Sequence, residues 1–207
     1  MLLRTLAVFA FCWMATAAVA YAGKYNPVLD IGDAAPAWSK LPGVDGKEHS
    51  LADLKDKQVL VVVFTCNTCP YALDYEQRLI QFAKDYCGPE SKVALVAINV
   101  NRVAGDRLKD MQDRAKKYEY NFPYLYDESQ QIAKDFGATF TPEFYVLDRD
   151  RKVVYMGAMD DNTMVDKVKT KYVEDAVKAA LAGEKPAVTE TVAVGCLVRY
   201  ARERRRN

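Results

Sequence analysis

This sequence is poor in several things that announce a function. Its 207 residues hold a single histidine, His49, which sits in a polar stretch and reads as an ordinary surface residue. No Gly-rich phosphate loop, no serine nucleophile elbow and no paired-carboxylate pattern stands out. There is no internal repeat and no low-complexity block. Net charge is also missing: the formal value is +1, and removal of Arg4 with the leader described below leaves basic and acidic residues equal. Such a chain has no strong field for nucleic acid or an anionic membrane, which excludes both as expected partners. Arg199, Arg202, Arg204, Arg205 and Arg206 make only the end basic, as a solvated tail does.

Long apolar runs are scarce as well. One lies at the start, where Thr5–Ala20 follows Arg4 and is rich in Leu, Ala, Val and Phe. At about 16 residues it falls short of the ~17–25 that span a bilayer. Small residues in Ala18-Val19-Ala20 and again in Ala20-Tyr21-Ala22 fit a signal peptidase site. Residues 1–22 are therefore read as a signal peptide, which predicts a periplasmic or secreted protein and takes Cys12 away with the leader. Contact with a membrane follows only if the leader is retained as an anchor. Residues 23–186 are then one domain, and 187–207 a C-terminal tail with a basic end.

Within that domain, continuous apolar runs alternate with amphipathic ones. Gln58–Thr65 and Lys92–Val100 read as strands buried on both faces. Cys69–Tyr86 reads as a helix with Leu73, Leu79, Ile80, Phe82 and Ala83 inward, stopped by Gly88-Pro89. Asp106–Tyr118 is a charged surface helix, Pro123–Asp127 a short extended piece, and Ser129–Phe136 a short helix closed by Gly137. Glu143–Leu147 and Lys152–Met156 form a hairpin over the polar link Asp148–Arg151, and Met164–Leu181 is the last long helix. An extra strand pair and one helical turn are expected in Asp30–Leu54, while Val188–Val198 is extended with no place assigned. The order predicts an α/β fold, a central mixed sheet flanked by helices, with an N-terminal strand extension.

What the chain does have is Cys66-Asn67-Thr68-Cys69, set where a buried strand gives way to a helix. Unpaired N–H groups and the macrodipole at a helix N-terminus favour a thiolate, so the Cys66 thiol is expected below its free value of about 8.5. A three-residue step brings two Cβ atoms to about 5–6 Å in a helix, close enough to bridge. The N-terminal thiol then attacks a substrate disulfide and the second resolves it. Pro70 permits a rival register in which Cys69 caps the helix and Pro70 is its first residue. Cys87 lies too far along the helix from Cys69, about 27 Å on, to resolve that pair. Cys196 sits on the unplaced tail. Three readings are open for these cysteines: Cys87 as a buried small apolar residue, a second bridge, Cys87–Cys196, or a shuttle in which Cys196 takes over the Cys66–Cys69 disulfide.

At these residues the chain resembles the thioredoxin-like superfamily, and most closely its redoxin, or alkyl hydroperoxide reductase–thiol-specific antioxidant, branch. The resemblance runs from about Ile31 to Leu181. It is carried by Phe64–Pro70 (FTCNTCP), Phe122–Asp127 (FPYLYD) and Thr139–Phe144 (TFTPEF). It implies a cis proline facing the redox pair, which falls on Pro142, with Thr141 beside it. No cofactor is expected and no metal ligands are assigned. Two positions depart from relatives: Leu60 stands where thioredoxins carry a buried acid, and Val59 and Val63 stand where peroxiredoxins carry Pro and a hydroxyl residue.

The expected function is thus an exported thiol-disulfide oxidoreductase exchanging a Cys66–Cys69 dithiol with protein thiols or disulfides, or with a membrane electron donor. A thiol peroxidase (antioxidant) is one alternative and a Cu(I)-binding chaperone using both thiolates another. A static Cys66–Cys69 staple would close too short a loop to stabilise much. Direction of electron flow and oligomeric state are not encoded in these patterns.

Overall fold

Val59–Phe64 is an unbroken run of Val, Leu and Phe, and every one of its residues is buried. In a computed structural model, which describes residues 23–201, it is the middle strand of a five-stranded sheet. The leader and the Arg-rich end expected above lie outside the described residues.

Two short strands, β1 (Leu41–Pro42) and β2 (Glu48–His49), pair antiparallel ahead of the sheet and lead into a 3₁₀ turn, Leu51–Leu54. This is the strand pair and helical turn expected there. The central strand is β3 (Val59–Phe64), followed by helix α1 (Pro70–Tyr86), β4 (Val93–Asn99), α2 (Leu108–Lys117), β5 (Tyr124–Tyr126) and α3 (Gln131–Phe136). Then come β6 (Phe140–Thr141), β7 (Glu143–Leu147), β8 (Val153–Gly157), α4 (Tyr172–Ala182) and β9 (Cys196–Leu197). The sheet order is β5-β4-β3-β7-β8. β3 runs parallel to β4 and antiparallel to β7, so the sheet is mixed.

Alternation along β3 sorts the core. Val59, Val61 and Val63 pack with Tyr75, Leu79 and Phe82 of α1, Met111 of α2, and Val173 and Val177 of α4. Leu60, Val62 and Phe64 face the other way, onto Ile132 and Phe136 of α3 and onto Leu29 and Trp38 from the N-terminal segment. Helices thus cover both faces, and a central strand with no polar position is what such a sandwich requires.

Two sequence expectations are corrected. In α1 the buried stripe is Ala72, Tyr75, Glu76, Leu79, Phe82 and Ala83, at three- and four-residue spacing. Leu73 falls off that stripe and is exposed. The last helix does not begin at Met164. Met164 and Val165 are exposed, and Val165–Lys167 forms only a 3₁₀ turn. The Asp161 backbone N–H donates to the Thr170 carbonyl at 3.1 Å and closes this loop, so α4 starts at Tyr172, where its side chains first reach the sheet.

The tail has a definite place. It first runs along β8, with Met156 N–H donating to Thr189 O at 3.0 Å and Thr191 N–H to Met156 O at 3.1 Å. β9 then pairs antiparallel with β6, setting Phe140 opposite Leu197 and Thr141 opposite Cys196. Beyond it, Arg199 N–H donates to Asn101 Oδ1 at 3.0 Å, and the Gln130 side chain grips Arg199 O and Ala201 N–H at 3.0 and 2.7 Å. Residues 187–201 are therefore part of the folded unit around the cysteine turn.

Candidate redox site

The register left open by Pro70 is settled by the backbone. Cys69 is the N-cap, extended at φ −89° and ψ 121°, and Pro70 opens α1. A proline suits that first position because its missing N–H would have no helical partner there. Cys66 therefore sits in the turn before the helix and not within its first turn.

Cys66, Cys69 and Cys196 meet with Ala72 in a small buried cluster at the end of β3. Cys66 is 4% exposed and Cys69 2%. Cys69 is bridged to Cys196, with Cα atoms 5.9 Å apart, while Cys66 and Cys87 are free thiols. The Cys87–Cys196 bridge is thus corrected. Cys87 lies at the far end of α1, as its C-cap, and β6 holds Cys196 at the opposite end of that helix. Burial pushes the Cys87 thiol up to about 11, which leaves it protonated and unreactive.

Thr141 ties the cluster together. Its hydroxyl lies 3.4 Å from Cys66 Sγ and donates to the Cys196 carbonyl at 3.4 Å, and its own carbonyl oxygen is 3.1 Å from Cys69 Sγ. The Thr141–Pro142 peptide bond is cis, so Pro142 stands at the position the resemblance implied. Gly195 allows the tail to come this close, since a Cβ there would overlap the Thr141 carbonyl. Glu143, buried beside Pro142, accepts the N–H groups of Thr139 and Phe140 at 2.8 and 2.9 Å and the Tyr145 hydroxyl at 2.9 Å, which fixes the loop that carries Thr141.

The electrostatics run against the expectation of a lowered thiol. Burial pushes the Cys66 thiol up, and the carboxylate of Asp106 pushes it further. The Thr141 hydroxyl and the backbone N–H groups of Thr68 and Cys69 oppose that without cancelling it. Helix-terminus stabilisation is weak here because Cys66 lies outside the helix and beneath the tail, where a thiolate loses its water.

Sequence reasoning singled out Cys66, Cys69, Thr141, Pro142 and Cys196, and the structure gathers all five. It overlooked Asp106, which lies 40 residues from Cys66 and carries no motif. His49 is apart from the cluster on β2, with its Nε2 3.0 Å from Asp45 Oδ1.

Against this geometry, three comparisons with known proteins are informative. The AhpC/TSA family profile matches residues 31–156. A hypothetical protein from Sinorhizobium meliloti 1021 has a crystal structure that superposes with a TM-score of 0.77 at 34% identity, over 85% of this chain and 97% of that one. The thiol-disulfide oxidoreductase ResA of Bacillus cereus (strain ATCC 10987 / NRS 248) is 26% identical over 128 residues, 61% of this chain and 68% of the relative. The fold is thioredoxin-like: a thioredoxin-family thiol:disulfide interchange protein from Chlorobium tepidum TLS superposes with a TM-score of 0.56 at 24% identity, over 72% of this chain and 97% of that one.

Proposed function

Because this chain belongs to the AhpC/TSA family, we propose that its cysteine cluster makes it an extracytoplasmic thiol-disulfide oxidoreductase that acts on protein substrates through Cys66, Cys69 and Cys196. Relatives named as thiol-disulfide oxidoreductases support the activity, and the leader-like residues 1–22 support the location. One observation carries the reading: a free thiol, Cys66, is held in the same cluster as the Cys69–Cys196 disulfide, with Thr141 against all three residues.

The chemistry balances as an exchange. Cys66, deprotonated, attacks Cys69 Sγ; the Cys66–Cys69 bond forms, the Cys69–Cys196 bond breaks, and Cys196 leaves as a thiolate that takes up the proton Cys66 gave. No electrons are gained or lost in this step. It frees the tail and presents the vicinal disulfide. A substrate thiolate then attacks Cys66 Sγ and releases Cys69, and the second substrate thiol resolves the mixed disulfide. The substrate leaves oxidised by two electrons and the site holds three thiols, Cys66, Cys69 and the Cys196 released in the first step. Run backwards, the same steps reduce a substrate disulfide. A disulfide-bearing partner or a membrane electron donor restores the starting state, according to direction.

The test is disulfide exchange between the purified full chain and a protein dithiol or disulfide substrate, with peroxide consumption followed in parallel. Cys66→Ser should abolish exchange while peptide mapping still shows Cys69 joined to Cys196. Exchange that survives in this variant removes the mechanism, and turnover of peroxide alone would favour a peroxidase instead.

A further inference from the structure

Asp106 lies in the loop before α2 and is fully buried. Its carboxylate is turned toward the two residues between the cysteines. Oδ1 accepts the backbone N–H of Asn67 at 2.6 Å and that of Thr68 at 3.1 Å. Oδ2 accepts the Thr68 hydroxyl at 2.6 Å and the Asn101 side-chain amide at 3.2 Å. The loop adds further ties: Asn67 Nδ2 donates to Gly105 O at 2.8 Å, Asn99 Nδ2 donates to Asp106 O at 3.1 Å, and the Tyr124 hydroxyl donates to Asn67 Oδ1 at 3.1 Å. A buried charge accepting four hydrogen bonds holds the turn firmly.

The same bonds have a second effect. Backbone N–H groups of a cysteine turn are the donors that would stabilise a thiolate at its first residue. Here the Asn67 N–H is committed to Asp106, and the Thr68 N–H is shared between Asp106 and Cys66. Around Cys66, the loop before α2 contributes Asp106, β5 contributes Tyr124, α1 and β9 contribute the bridged Cys69 and Cys196, and β6 contributes only the neutral Thr141. Arg102 and Arg107, which flank Asp106 in sequence, act on Tyr126 and are not among the groups that act on Cys66. The charge facing Cys66 is therefore negative.

We propose that Asp106 is the positioning residue of the redox turn: it fixes the turn's geometry through the Asn67 and Thr68 amides and, as a buried anion engaging those donors, disfavours negative charge on the sulfur of Cys66. A thiolate at Cys66 is what attacks the Cys69–Cys196 bridge, so Asp106, together with the burial of the site, governs how readily the relay starts. This deepens the reading of Cys66 as the attacking thiol, but its test reads Cys66 alone.

The measurement is the pH profile of Cys66 alkylation in a fully reduced Cys69→Ser background, followed by mass spectrometry of the peptide carrying Cys66. Asp106→Asn keeps an acceptor and removes the charge, so the profile should move to lower pH and alkylation at pH 7 should quicken roughly three- to tenfold. Thr68→Val keeps the charge and deletes one bond that offsets it, so its profile should move to higher pH. Opposite movements support the assignment. An Asp106→Asn profile that stays put or moves upward overturns it, as do two variants that move together, which a purely structural role would give. Should Asp106→Asn not fold, an unmoved Thr68→Val profile overturns it by itself. Loss of disulfide exchange would leave this titration readable, whereas an unmoved titration in an active protein would remove Asp106 and leave the relay.

Discussion

Thr141 and Cys196 stand opposite one another in the antiparallel β6–β9 pair, and this one register brings the tail cysteine onto Cys69, 127 residues away in sequence. The sulfur bridge and the strand pairing hold the same segment in place, and each makes the other more probable. Breaking either one should therefore loosen both.

Gly195 tests the strand side of that relation. A methyl group there would overlap the Thr141 carbonyl and come 3.1 Å from the Pro142 nitrogen. In Gly195→Ala the tail is expected to lift from β6, at a cost of about 1–3 kcal/mol for overpacking. Cys66 should then react with iodoacetamide several-fold faster under native conditions. Denaturant midpoint and native-state labelling check this together; a variant unchanged in both would show that the tail does not seat as described.

Cys196→Ser tests the covalent side. A bridge over so long a loop restricts the unfolded chain strongly, so its loss should lower stability by about 2–4 kcal/mol, read as a drop in denaturant midpoint with a steeper slope because the unbridged unfolded chain exposes more surface. Mild oxidation of this variant should give a Cys66–Cys69 disulfide by peptide mapping. Finding both cysteines still alkylatable after oxidation would mean that the two cannot bridge.

The raised Cys66 thiol predicts a pH dependence in the protein that keeps its Cys69–Cys196 bridge. The group binds its proton more tightly folded than unfolded, so no effect is present below the ordinary thiol value near 8.5. Above it the unfolded chain has given up a proton that the folded chain keeps, and stability falls as pH rises. Cys87, pushed up to about 11, adds to the same trend. Comparing the bridged wild type with a Cys66→Ser, Cys87→Ser double variant from pH 7 to 10 by chemical denaturation isolates the effect. A wild-type curve no steeper than that of the variant would contradict it.

Much of this architecture was written locally. β3 and β4 are continuous runs of buried residues, and such runs have few other stable arrangements than the middle of a covered sheet. Gly137, in the left-handed region at φ 68°, ends α3 where the sequence places its stop. The cysteine turn, Thr141 and Pro142 were legible because each carries a short motif. Met164–Leu181 misled, because apolar spacing does not reveal that Met164 and Val165 have no surface to pack on. Asp106 was invisible for a different reason: a lone acid beside a charged helix looks solvated until the loop turns it inward.

The residue pattern alone determined a mixed α/β sheet with a dithiol turn at the end of its central strand, since periodicity, caps and turn residues act within a few positions of one another. Which sulfur meets which was decided by the tertiary structure. Cys69–Cys196, the buried Cys66 beneath the tail and the Asp106 clamp each join residues far apart in sequence, and only the folded packing sets their distances and takes the thiol out of water.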